Sequence, residues 1–143
     1  MRAGNVGFPA PAIRTHDFLY IRNFEPARWP IGDPENYGDI VNSPSKEFVI
    51  EDRQSPQFAR FFELACNKKP EEELYDIRRD PGQLDNVAGA PKYTAAKKKL
   101  RGQLDDFLRR TGDPRLTEGA IIWDTTPYYG AANPQVRGKS GKQ

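Results

Sequence analysis

Few side chains in this sequence can do acid–base, nucleophilic or metal chemistry. His16 is the only histidine and Cys66 the only cysteine. A lone histidine excludes a His-rich metal centre, a histidine dyad and any Ser-His-Asp arrangement that needs a second histidine shell. It leaves two readings of His16: a plain turn residue, since turns favour short polar side chains, or a side chain that touches a substrate. Cys66 precedes Asn67-Lys68-Lys69-Pro70, where the lysines could lower the thiol pKa, but no general base stands beside it, so a small buried hydrophobe is expected. A single cysteine also excludes an intramolecular disulfide. Glu71, Glu72 and Glu73 are consecutive, and on a strand they alternate between faces, which predicts a solvated edge and not a cation site. Lys97-Lys98-Lys99 and Arg101 could meet phosphate or sulfate, but on a helix with an apolar stripe they are expected on the solvent side. The glycines are scattered, and none forms a phosphate-cradling loop.

The elements that must position these residues can be read from periodicity and punctuation. Residues 1–11 are rich in Gly, Pro and Ala and read as an irregular lead-in. Ala12 to Phe24 (AIRTHDFLYIRNF) carries β-branched and aromatic residues around a polar Thr15-His16-Asp17 centre, which predicts two short antiparallel strands, with Phe18, Tyr20 and Arg22 sharing one face. Glu25 to Asn42 holds prolines, glycines, Trp29 and Tyr37, an ordered but irregular loop. Ser43-Pro44 and Ser55-Pro56 each predict an N-cap followed by proline at the first helical position. In the second of these helices Phe58, Phe61, Phe62 and Ala65 form a narrow apolar stripe that must find cover. Glu73 to Ile77 predicts a strand stopped by Asp80-Pro81-Gly82. From about Pro91 to Thr111, Tyr93, Ala96, Leu100, Leu104, Phe107 and Leu108 share one helix face, with Gly112 as C-cap and Asp113-Pro114 as the stop. Residues 116–143 read as an irregular, flexible tail.

The result is an α+β fold, a small antiparallel sheet packed by a C-terminal amphipathic helix with long irregular loops. The 143 residues amount to about one domain. The 22 basic and 20 acidic side chains nearly cancel to +2, too weak a field to attract nucleic acid or anionic lipid. No apolar run approaches the roughly 20 residues that span a bilayer, and no basic-then-apolar export signal opens the chain.

The stretch Glu73-Leu74-Tyr75-Asp76-Ile77-Arg78-Arg79-Asp80-Pro81-Gly82-Gln83-Leu84-Asp85-Asn86-Val87-Ala88 resembles the ELYDLxxDPxExxNLA segment near the C-terminus of sulfatases. Ile13-Arg14-Thr15 followed by Phe18-Leu19-Tyr20-Ile21-Arg22-Asn23 is similar to the family's strand pair. The helix ending Leu108-Arg109-Arg110-Thr111-Gly112-Asp113-Pro114 and the Trp29-Pro30 loop resemble those of heparan N-sulfatase (N-sulfoglucosamine sulfohydrolase) and its bacterial relatives. The resemblance covers about residues 8–115, with 12–115 as a sulfatase-like C-terminal subdomain. For the whole enzyme it implies hydrolysis of a sulfate ester or sulfamate by a formylglycine nucleophile with calcium, in a protein that is often exported. The formylglycine signature is Cys or Ser, any residue, Pro, any residue, Arg. Cys66 has Lys68 and Pro70 at the Pro and Arg positions, and neither Ser43 nor Ser55 fits. Pro11 stands where family members often carry an arginine on the active-site side.

Two functions follow from this reading. The first is a subdomain that packs on a sulfatase catalytic domain and shapes its substrate cleft through Arg14, His16, Arg22 and Trp29, with no catalytic or metal-binding residue of its own. The second is a free-standing module that binds sulfated glycan or a partner protein. A large exposed apolar face on the sheet would mark the first and a compact polar surface the second, and residues 55–66 are expected either to pack on the sheet or to form an apolar patch that drives self-association.

Overall fold

In the computed structural model, residues 7–31 and 43–117 are described. The second half of the aromatic loop, with Tyr37, and the tail from residue 118 onward lie outside them. Strand β1 (Ala12–Arg14) turns through Thr15-His16-Asp17 into β2 (Phe18–Arg22), and β2 pairs with β3 (Glu72–Asp76) on its other side. All pairing is antiparallel in the order β1-β2-β3, with Ile13 opposite Tyr20 and Tyr20 opposite Leu74. The third strand lies one residue earlier than the expected 73–77. Pro11 and Pro9 continue the pairing by accepting the N–H groups of Arg22 (3.0 Å) and Phe24 (3.1 Å), so the described part of the lead-in is tied to β2.

Between β2 and β3 stand two short helices, α1 (Pro44–Glu51) and α2 (Ala59–Ala65). The Ser43 hydroxyl caps α1 by accepting the Lys46 N–H at 3.2 Å, as the Ser-Pro pair predicts. The second Ser-Pro pair behaves differently. The Ser55 carbonyl takes the N–H groups of Phe58 (3.0 Å) and Ala59 (2.7 Å), and this turn delays the helix to Ala59.

After β3, a 3₁₀ turn (Pro91–Tyr93) leads into α3 (Thr94–Arg110). Leu100, Leu104 and Leu108 recur every four residues and are buried against Tyr20 and Leu74 of the sheet, each buried leucine being worth about 1.5–3 kcal/mol. Arg109 and Arg110 sit in the last turn, where cations suit the helix dipole. The helix stops in a Schellman arrangement. Gly112 adopts φ +64, its N–H meets the Arg109 carbonyl at 3.2 Å, and Asp113 N–H meets the Leu108 carbonyl at 2.9 Å. A single helical turn, α4 (Pro114–Thr117), follows, and Leu116 packs on the core.

The acidic run departs from the expected solvated edge. Glu72 points to the helix side, where its carboxylate accepts the Tyr20 hydroxyl at 2.7 Å and pairs with Lys97 (3.3 Å) and Arg101 (3.4 Å). Lys97 and Arg101 are therefore bound into the fold, while Lys98 and Lys99 are exposed as expected. Glu73, on the opposite face, is buried. It accepts Asn23 Nδ2 at 2.8 Å and the Tyr75 hydroxyl at 2.5 Å. Burial, then the Glu73 hydrogen bond, raise the Tyr75 phenol well above its usual pKa, so it stays a donor. These two donors, one of them fifty residues away in sequence, make burial of an otherwise expensive carboxylate tolerable.

Candidate functional site

The residues expected to touch a substrate fall into three places. Arg14 and His16 lie at the β1–β2 turn. Arg14 stands opposite Leu19 on the sheet face away from α3, with Nη1 at 3.5 Å from Gln83 Oε1. His16 is open to solvent, its side chain 86% exposed, with Nδ1 at 2.9 Å from Asp17 Oδ1. Arg22 lies toward the far end of β2 on the helix side. There it pairs with Asp105 of α3 at 2.6 Å, and its guanidinium lies 4.6 Å from the centroid of Phe24. Trp29 is a third location, a half-buried ring with Lys68 Nζ 5.2 Å from its centroid.

The β1–β2 turn gains a residue that the sequence reading did not single out. The register that sets Phe18 opposite Asp76 brings the segment after β3 alongside the turn, and Ile77 N–H donates to the Asp17 carbonyl at 2.9 Å. Arg78 thereby reaches the turn, its Nε 2.5 Å from Asp17 Oδ1 and its Nη2 3.3 Å from His16 Nδ1. The His16 hydrogen bond lowers the Asp17 carboxyl below its usual pKa, desolvation opposes it, and the Arg78 hydrogen bond and charge add to the lowering. Asp17 is thus the ionised hub of a cluster with His16 and Arg78, and Arg14 stands exposed at the neighbouring end of β1. The signal that could have found Arg78 was strand pairing, which no local pattern in Arg78-Arg79 reveals.

Chemically this rim can present N–H donors to an oxyanion, and two of its members are guanidiniums suited to planar acid groups. His16 is held by Asp17 and Arg78. Cys66 is buried at 1% exposure, and burial pushes its thiol up in pKa despite the opposing charge of Lys69. Its burial agrees with the small-hydrophobe reading. Among the described residues, no three His, Cys, Asp or Glu side chains converge as metal ligands, and no helix is long and apolar enough to cross a membrane.

A second polar feature is a cleft of about 320 Å³ between α2 and the outer face of β3, lined by Arg60, Lys68, Glu73 and Tyr75 among others. It is bridged at its mouth by the Arg60–Asp85 pair at 2.9 Å. The segment after β3 is held there by a turn in which Asp80 Oδ2 accepts the N–H groups of Leu84 (2.6 Å) and Asp85 (2.8 Å), as expected of an aspartate before Pro-Gly. Asn86 closes the outer edge of β3 by accepting the Leu74 N–H at 2.9 Å.

No protein-family model matches the chain. Among curated proteins it is similar to two ulvan-active sulfatases of Formosa agariphila, at 32% identity over 114 residues and 30% over 106 residues, or 78% and 74% of this chain. It is also similar to a Delta 4,5-hexuronate-2-O-sulfatase of Bacteroides thetaiotaomicron, at 45% identity over 42 residues, 29% of this chain and 9% of that protein. The chain spans only about 18% of the length of the two ulvan-active sulfatases. Over about three quarters of its length, the chain is related in sequence to a segment of the sulfatases.

Proposed function

We propose that this chain serves as the C-terminal subdomain of a sulfatase, packing on a catalytic domain and shaping its substrate cleft. The observation that carries this reading is the match itself: most of the chain aligns with named sulfatases, yet it spans about 18% of their length. Its own residues do not fit the family's reacting groups. The only cysteine lacks the formylglycine context and is buried, and no metal-ligand cluster forms among the described residues. The calcium and formylglycine that the family resemblance implies therefore belong to the catalytic domain.

Of the residues expected at the cleft, Arg14 and His16, joined by Arg78, form the best-placed contribution. All three are exposed N–H donors and two are guanidiniums, which suits the acid groups of a sulfated glycan. Arg22 serves the fold through Asp105. Trp29 stands apart near Lys68, and in this proposal it lines a separate stretch of the cleft. The names of the relatives favour sulfated, uronate-containing polysaccharide as the substrate class, while the closing helix favours the heparan N-sulfatase branch.

The test is a chimera in which this chain replaces the matching segment of the ulvan-active sulfatase with which it shares 32% identity. The expected outcome is a folded chimera that hydrolyses nitrocatechol sulfate in the presence of calcium, with Arg14→Ala and Arg78→Ala raising KM for sulfated oligosaccharide more than for the small ester. A chimera that folds no better than the enzyme with the segment deleted would overturn the proposal.

A further inference from the structure

Two rings of the expected aromatic stripe, Phe58 and Phe61, cluster with Phe48 of α1. Helices α1 and α2 pack mainly on each other, with Phe58 edge-on to Phe48 (4.7 Å between centroids) and stacked with Phe61 (6.2 Å). No residue of either helix is fully buried, and Phe48 and Phe61 remain 41% and 52% exposed. Between the helices runs an open groove of about 840 Å³, lined by Phe48, Val49, Phe61, Leu64, Pro44 and Ala65, with no charged side chain on its walls. Helices of eight and seven residues fall well short of the roughly 12–15 needed for marginal stability alone, so this pair depends on tertiary cover.

We infer that the α1–α2 groove is the surface on which the catalytic part of a sulfatase seats an apolar ridge. The inference rests on the function proposed above and adds which face makes the contact. Two observations select this occupant. In the ulvan-active relatives the matching segment is only about 18% of the protein, so the larger part lies outside it and is available as cover. The groove is also small. Its seven lining residues are far fewer than the roughly 20–30 per side of a stable interface between separate chains. A second copy held by this groove alone would be weak, whereas a part of the same polypeptide acts at a high effective concentration and needs only a local seat. The uncharged walls call for aliphatic or aromatic side chains.

The test uses Phe61→Asp and Phe48→Asp in two settings, the chain alone and the chimera described above. In the chain alone, Phe61 is 52% exposed, so Phe61→Asp should change far-ultraviolet circular dichroism and melting temperature little, while Phe48→Asp, which also removes the 4.7 Å contact with Phe58, should lower the melting temperature. In the chimera, each substitution should cost roughly 10- to 100-fold in folded, active enzyme, the factor that loss of one buried ring takes from an equilibrium. An active chimera indifferent to both substitutions would overturn the inference and leave the proposed function standing. An unsubstituted chimera that fails to fold would overturn the proposed function, and the inference with it. A chain that forms a discrete dimer abolished by Phe61→Asp would assign the groove to a second copy, and that too would overturn the inference.

Discussion

Tyr20→Phe removes one oxygen from the middle of the molecule. Tyr20 has 0% exposure, and its hydroxyl donates to Glu72 at 2.7 Å. A hydrogen bond to a charged acceptor contributes about 1.5–3 kcal/mol. The variant keeps part of that, because Phe has no hydroxyl to desolvate and Glu72 retains Lys97 and Arg101. The net loss should be about 1–2 kcal/mol, or a fall in melting temperature of about 2–8 °C at about 2–4 °C per kcal/mol for a chain of 143 residues.

The loss should also depend on pH. Burial works to raise the Glu72 carboxyl, but the Tyr20 and Lys97 hydrogen bonds and the charges of Lys97 and Arg101 outweigh it, so its pKa lies below the ordinary 4.5. A depressed folded-state pKa contributes stability that is present above the unfolded value and fades as pH falls through the folded one. The gap between wild type and Tyr20→Phe should therefore be full at neutral pH and narrow below 4.5, as Glu72 protonates. Urea melts followed by circular dichroism at about pH 7 and about pH 3.5 measure both gaps. A neutral-pH gap under about 0.5 kcal/mol, or one that does not narrow in acid, would refute the assignment of this contact as a charge-accepting hydrogen bond.

Arg22→Ala should destabilise by about 1–2 kcal/mol because it leaves the half-buried Asp105 with only the longer Arg101 contact at 3.9 Å, and adding Asp105→Asn should recover part of that in a double-mutant cycle; full additivity would mean that the pair is not coupled. Cys66, buried and raised in pKa, should react with an aromatic disulfide reagent roughly 100-fold more slowly than in denaturant, and equal rates would show the site to be open. Gln83 is the one described non-glycine residue with positive φ, at 56, so Gln83→Asn should raise stability by about 0.5 kcal/mol in a thermal melt; a loss would point to its Arg14 contact as the stronger effect.

Much of this fold is legible in the sequence because its signals are local. The four-residue spacing of Leu100, Leu104 and Leu108, the Gly112 cap and the Ser43-Pro44 start are each written within a few positions. So is the alternation that sends Tyr20 and Arg22 to the helix side. What local pattern does not reveal depends on partners far along the chain. Glu73 looks solvated until Asn23, fifty residues away, donates to it. The Lys97–Arg101 face looks free until Glu72 is brought beneath it. Arg78 joins His16 only through the β2–β3 register. The late start of α2 has a smaller cause, a competition between the Ser55 hydroxyl and its own carbonyl for the same N–H groups, which composition does not decide.

The central claim is that this chain contributes scaffold and substrate contacts to a sulfatase while the sulfate-hydrolysing chemistry lies elsewhere. Its most direct measurement is nitrocatechol sulfate hydrolysis by the purified chain alone, produced with formylglycine-generating enzyme and assayed with calcium. The prediction is a rate indistinguishable from buffer. Turnover above the blank that disappears in Cys66→Ala would contradict the account, because it would make the buried thiol a nucleophile and this chain an enzyme in its own right.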